Sequence, residues 1–145
     1  MFNGRLDDKG RMKLAAALVQ YFGSLPEKKL FVTSLDRHTA QIYPISVWRS
    51  NEQLFEEHRE DSQIVRKISF NAADLGSETE VDSQGRLLFS PDLRRVLGLE
   101  NQTLHLYKRR KHIEVLSEKQ YEDLKSEAAD TTPDEVAKLE TAGMN

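Results

Sequence analysis

Two five-residue segments carry the side chains best suited to chemistry in this chain: Asp7-Asp8-Lys9-Gly10-Arg11 and, 75 positions later, Asp82-Ser83-Gln84-Gly85-Arg86. Each sets a carboxylate four residues before a guanidinium, with a glycine between them. An aspartate so placed can accept hydrogen bonds from the turn's own amides, and glycine permits the positive φ of a tight turn. The arginine that follows is thrown outward, where it can clamp phosphate or pair bidentately with a guanine edge. The competing reading is an ordered turn whose arginine only pairs with the aspartate. Further cations crowd both motifs: Arg5 and Lys13 stand beside Lys9 and Arg11, while Arg94 and Arg95 follow Arg86. Local patches govern phosphate attraction more than total charge does.

Catalysis has little to stand on. Asp7 and Asp8 are adjacent, and neighbouring carboxylates on a turn point apart. The four histidines, His38, His58, His105 and His112, lack metal-ligand spacing, there is no cysteine, and the isolated glycines form no phosphate-cradling loop. The expectation is no enzyme, no cofactor, no metal and no small-molecule substrate. No apolar run approaches the ~20 residues that span a bilayer, and Met1-Phe2-Asn3-Gly4-Arg5 is no signal peptide. A cytoplasmic protein without a membrane partner is expected.

The elements that must position the motifs are themselves duplicated. Leu14, Leu18 and Phe22 form an i, i+4, i+8 stripe ended by Gly23, answered by Phe89, Leu93, Leu97 and Gly98. Ser90 can cap the second helix, and Pro91 suits its first position. Two extended runs follow each helix, Leu30 to Leu35 with Gln41 to Tyr43, and Thr103 to Tyr107 with Ile113 to Leu116, which predicts hairpins. Each half closes on an amphipathic helix. The first begins near Ser46 and carries Trp48 and Phe55 on one face; the second begins at Ser117, where Ser117 and Gln120 match a capping box. Trp48 and Tyr121 are equivalent and are read as core aromatics pinning these helices to the sheet.

Between the halves, Asp61 or Ser62 caps a linking helix with Ile64, Val65 and Ile68, and Asn71 to Ser77 reads as a loop. The predicted organisation is a first repeat over 1–60, a linking helix and loop over 61–77, a second repeat over 78–125, and an acidic, partly disordered tail over 126–145 broken at Pro133. Each unit is too small to bury a generous core, so the two are expected to interlock with each other or with another chain.

The net charge of −3 is uneven: residues 117–145 hold eight acidic and three basic side chains, which leaves the duplicated body slightly basic. A nucleic-acid partner is therefore compatible with the composition. The turn Lys108-Arg109-Arg110-Lys111 is read as a solvated face.

The two Asp-x-x-Gly-Arg motifs, Tyr43-Pro44 before Trp48, and Val81 to Arg86 leading into Asp92-Leu93-Arg94 and Gly98-Leu99 together resemble the MraZ family of bacterial transcriptional regulators, from Met1 to about Leu124. The resemblance implies a mainly β, α+β fold in which two AbrB-like (SpoVT/AbrB) swapped-hairpin units form a pseudo-two-fold tandem β-barrel with flanking helices. It also implies a nucleoid-associated homo-oligomeric ring that binds direct repeats in double-stranded promoter DNA upstream of its own division and cell wall gene cluster. Carried over, the family's DNA-contacting arginine falls on Arg11 and Arg86, with Lys9 beside Arg11 on phosphate; Arg5 and Lys13 complete the expected DNA-binding set. Gln84 replaces Lys9 in the second copy, and Ala15 and Ser90 stand where the family commonly has proline. The alternative function is a non-catalytic interaction module of the antitoxin type, which usually carries one such barrel rather than two.

Overall fold

The computed structural model describes residues 1–145, the side chain of Arg59 excepted. Strand β1 (Phe2–Gly4) runs into the first motif, β2 (Arg11–Lys13) leaves it, and α1 (Ala16–Gly23), the hairpin β3 (Leu30–Thr33) and β4 (Ala40–Pro44), and α2 (Ile45–Glu57) follow. A short 3-10 turn and α3 (Ser62–Leu75) lead to the second series: β5 (Ser77–Thr79), β6 (Arg86–Leu88), α4 (Pro91–Leu97), β7 (Leu104–Arg109), β8 (His112–Leu116) and α5 (Glu118–Ala128). A last helix, α6 (Pro133–Thr141), ends the chain.

The two series interleave. Six strands form one antiparallel sheet in the order β1-β7-β8-β4-β3-β5. Strand β1 lies on β7 with Phe2 opposite Leu106, and β5 lies on β3 with Glu78 opposite Phe31, so each series gives its opening strand to the other's hairpin. The hairpins meet along β4 and β8, where Ile42 faces Ile113. Neither series therefore completes a sheet alone, which is how two small units share one core.

The class is α+β, compatible with an AbrB-like architecture, and by residue count helix is the larger share, 44% against 23% strand. The six-stranded sheet does not close into the expected barrel. Its edge strands β1 and β5 are three residues long and each pairs on one side only, while β2 and β6 pair with each other as a separate ribbon. Beneath that ribbon Met12 faces Leu87, both wholly buried among core residues that include Leu30, Ile42, Leu104 and Ile113. A second cluster holds α2 and α3 to the sheet: Trp48 stacks on Phe31 at 4.6 Å between ring centroids and meets Tyr43 at 5.2 Å, with Ala72 beside them. Its counterpart Tyr121 stacks on His105 at 3.7 Å and stays half-buried.

The helix ends follow local chemistry with some differences. Ser90 Oγ accepts the Leu93 amide at 3.3 Å, Pro91 takes the first position, and Gly98 ends α4 at φ +62°. Gly23, by contrast, is the last residue of α1, which ends at a right-handed Ser24. Asp61 makes no side-chain cap, and the loop expected over 71–77 shrinks because the helix continues to Leu75. Tertiary bonds hold that extra turn: Thr33 Oγ1 donates to the Ala72 carbonyl at 2.9 Å and Asn71 Nδ2 to the Leu35 carbonyl at 2.8 Å. Pro133, read from the sequence as a break, starts α6 behind a Thr132–Glu135 capping box. Among the described residues no helix is long and apolar enough to cross a membrane.

Candidate nucleic-acid interface

Each motif folds into the same hairpin reversal. In the first, the Asp7 amide donates to the Arg11 carbonyl at 2.8 Å and the Gly10 amide to the Asp7 carbonyl at 3.1 Å. Asp7 Oδ1 accepts the amides of Lys9 and Arg11, both at 2.9 Å, and Arg11 Nε donates to Asp7 Oδ2 at 3.2 Å. The second reversal repeats this: Asp82 Oδ1 accepts from the amides of Gln84 and Arg86 at 2.9 Å, and Arg86 Nε reaches Asp82 Oδ2 at 3.0 Å. Gly10 and Gly85 hold φ of +81° and +75°, the left-handed region that disfavours a side chain. Both aspartates are held below the ordinary carboxylate range, chiefly by the amides of Arg11 and Arg86, then by the amides of Lys9 and Gln84 and the arginine side chains.

The pairing expected of a merely ordered turn is thus present, but it uses one nitrogen of each guanidinium. Among the described residues neither Arg11 nor Arg86 makes a further side-chain hydrogen bond, and their side chains remain 30% and 26% exposed. The carboxylate consequently orients each arginine by Nε and leaves the two Nη groups, the bidentate fork, without a hydrogen-bond partner among the described residues.

The ribbon joins the two turns. Strands β2 and β6 pair with Lys13 opposite Arg86 and Arg11 opposite Leu88, and the Leu14 and Phe89 amides donate to the Gly85 and Gly10 carbonyls at 2.9 and 2.8 Å. Because side chains alternate across a strand, Arg11, Lys13, Arg86 and Leu88 share the outer face opposite the buried Met12 and Leu87. Lys13 Nζ bonds the Gln84 carbonyl, so it serves the other motif's turn. Lys9 sits exposed on the first turn, and Arg5 is exposed just before it. Of the five residues expected from the sequence, Arg11, Lys13 and Arg86 share one ribbon face and Lys9 lies on the adjoining turn, while Arg5 is placed only by its exposure and its position before the turn.

Arg94 was expected to attend the second motif, yet it packs beneath Gly10 of the first. Its Nε donates to the Phe89 carbonyl at 3.0 Å and Nη1 to Glu100 at 3.2 Å, leaving the side chain 12% exposed. Arg94 therefore acts as a support. Val19, its equivalent by the 75-residue offset, likewise packs against Gly85 of the other motif, an exchange that the offset alone does not signal. The basic turn lies on another surface. Lys108 sits over the Tyr21 ring at 4.8 Å, Arg109 meets the buried Glu114 at 3.4 Å, and Arg110 and Lys111 rim a cavity with Leu54 and Phe55.

Chemically, the site offers fixed donors and few free acceptors. Asp7, half of the only adjacent pair of carboxylates in the motifs, has both oxygens engaged by its own turn. His58, Glu60 and Asp61 come close enough to hold a cation, but all three are exposed and lie away from the motifs in sequence.

A family model described as "MraZ protein, putative antitoxin-like" matches residues 76–140, which include the second motif. A protein of Acidobacterium capsulatum called transcriptional regulator MraZ is 33% identical over 98 residues, covering 65% of this chain and 67% of its own. One of Corynebacterium kroppenstedtii with the same name is 33% identical over 101 residues, covering 70% and 68%. Another from Neisseria meningitidis is 27% identical over 142 residues and covers 94% of this chain and 93% of its own. With this identity over two thirds of a relative's length, and with the family model on the second motif, the chain belongs to the MraZ family.

Proposed function

We propose that this protein is a transcriptional regulator that binds double-stranded DNA through the two turns and their ribbon. The target is a set of direct repeats in the promoter of its own division and cell wall gene cluster, and occupancy there represses transcription from within the cytoplasm, at the nucleoid. The single observation that carries the reading is the pair of unengaged guanidinium forks: Arg11 and Arg86 are each fixed through Nε by an aspartate, and among the described residues their two Nη nitrogens have no hydrogen-bond partner. Arg11 and Arg86 contact bases or phosphate, while Lys9, Lys13 and Arg5 neutralise phosphate around them. The names of the relatives support regulation of transcription. The division into AbrB-like repeats at 1–60 and 78–125 belongs to the same proposal.

One protomer presents few cations, so it binds weakly alone. A homo-oligomeric ring on repeated boxes makes later contacts intramolecular and raises avidity. The test is fluorescence anisotropy with DNA from upstream of the gene and a scrambled duplex of equal length. Wild type should prefer the first, and Arg11→Ala should abolish the preference. Equal or absent binding to both duplexes would favour the second reading, an interaction module without DNA, to which the antitoxin-like description of the family gives some support.

A further inference from the structure

Two helical faces in this protein lie uncovered, and they match. On α3, Phe70 is 64% exposed, far more than a solitary surface phenylalanine requires, and it shares a shallow groove with Gln63, Arg66 and Lys67. At 100° per residue Arg66 and Lys67 fall on either side of Phe70, giving an apolar ridge with a cationic border. On α6, Val136 and Leu139 are 40% and 58% exposed, one turn apart. The same spacing puts Glu135 and Glu140 on either side of them, an apolar ridge with an anionic border. Every residue of α6 is exposed within the protomer. An isolated helix of nine residues is marginal in water even with good caps, so α6 needs a packing surface it does not find within its own chain.

We infer that α6 of one subunit docks on α3 of a second copy, with Val136 and Leu139 against Phe70 and the acidic border of α6 against Arg66 and Lys67. Because two different surfaces meet, the contact is heterologous and joins subunits head to tail, the arrangement that generates rings. This gives a physical interface to the oligomer in the preceding reading and rests on that part of it. The acidic C-terminal segment then has an assembly role rather than that of a partly disordered tail.

The test uses no DNA: sedimentation velocity of the full chain, of Phe70→Asp and of Leu139→Asp, over a range of concentrations. Wild type should sediment well above the 16.7 kDa monomer, and each variant alone should fall to the monomer. Mixing the two should give a dimer and nothing larger, since Phe70→Asp keeps a good α6 and Leu139→Asp a good α3. Both positions are more than half exposed, so the variants should keep the wild-type circular dichroism; Arg66→Glu with Lys67→Glu is a second route to the same loss. A monomeric wild type, or variants that keep the wild-type mass, would overturn the inference, as would a mixture that fails to associate. A monomer that still prefers promoter DNA would leave the DNA reading standing without this interface.

Discussion

Replacing each motif glycine by alanine separates two effects that the structure assigns different sizes. At Gly85 the added Cβ meets Val19 at 3.4 Å, an ordinary contact, so the cost is the left-handed backbone at φ +75°. That cost is about 1–2 kcal/mol for an L-residue, reduced by several tenths because alanine also stiffens the unfolded chain. A net loss of about 1 kcal/mol is expected for Gly85→Ala. At Gly10 the same backbone term applies, and the Cβ also runs into the Arg94 guanidinium. Arg94 must swing away from the Phe89 carbonyl and Glu100, at about 1 kcal/mol per bond lost. Gly10→Ala should therefore cost about 2–3 kcal/mol. Urea unfolding at fixed protein concentration measures both, and a cycle of Gly10→Ala with Arg94→Ala should return a coupling of about 1–2 kcal/mol, while Gly85→Ala with Arg94→Ala is additive. Equal losses at the two glycines would refute the support role of Arg94; no loss at either would refute the need for a left-handed turn.

Three further outcomes follow from the same structure. The carboxyls of Asp7 and Asp82 are depressed in the folded state, so their contribution is present above the unfolded value of about 3.9 and disappears as pH falls through the folded value; Asp7→Asn with Asp82→Asn should flatten the decline of the urea midpoint below about pH 4. Burial, and secondarily the charge of Glu114, pushes the Tyr43 phenol up to about 12, so ultraviolet titration should show a late tyrosinate step that Tyr43→Phe removes, and the stabilisation from the neutral phenol should fade as pH rises from about 10 toward that value. In DNA binding, Lys9→Gln and Lys13→Leu should each lower the salt slope by about one, because each removes one phosphate-neutralising charge; an unchanged slope for Lys13→Leu would take Lys13 out of the interface.

What could be read from the sequence was local chemistry or repetition. The turns were legible because aspartate, glycine and arginine recur at a fixed offset, and each residue has a conformational reason to be there. The caps at Ser90 and Ser117 were legible because the oxygens that satisfy a helix end come from neighbours in the chain. The exchange of β1 and β5 was not, since each is three residues long and pairs with a strand far away in sequence, leaving no periodic signal. The extra turn of α3 was missed for a related reason: Thr33 and Asn71 hold it through bonds to distant segments, and tertiary contacts override a sequence that otherwise reads as loop. Gly23 misled because a glycine ends a helix only where the chain adopts the left-handed conformation, as at Gly98, and Ser24 instead continues right-handed.

The least legible feature bears most on function. Compared position by position, the first motif looks richer in charge, with Lys9 against Gln84 and Lys13 against Leu88, while the second gains Arg94 where the first has Val19; the sequence thus assigns Lys13 to the first turn and Arg94 to the second. Folding redistributes the charges. Arg94 is largely covered beneath the first turn and paired with Glu100, while Lys13 crosses the ribbon to the Gln84 carbonyl of the second. Each turn is left with one arginine fork and one ammonium: Arg11 with Lys9, and Arg86 with Lys13. A pseudo-symmetric backbone thus carries one fork and one ammonium on each turn through different residues, with Arg5 a further cation before the first turn only. The charge at each turn depends on the pairing of β2 with β6 across 75 positions of sequence, so a change that loosens the ribbon, such as truncating Met12 or Leu87 beneath it, would weaken the second turn's cation without touching the motif itself.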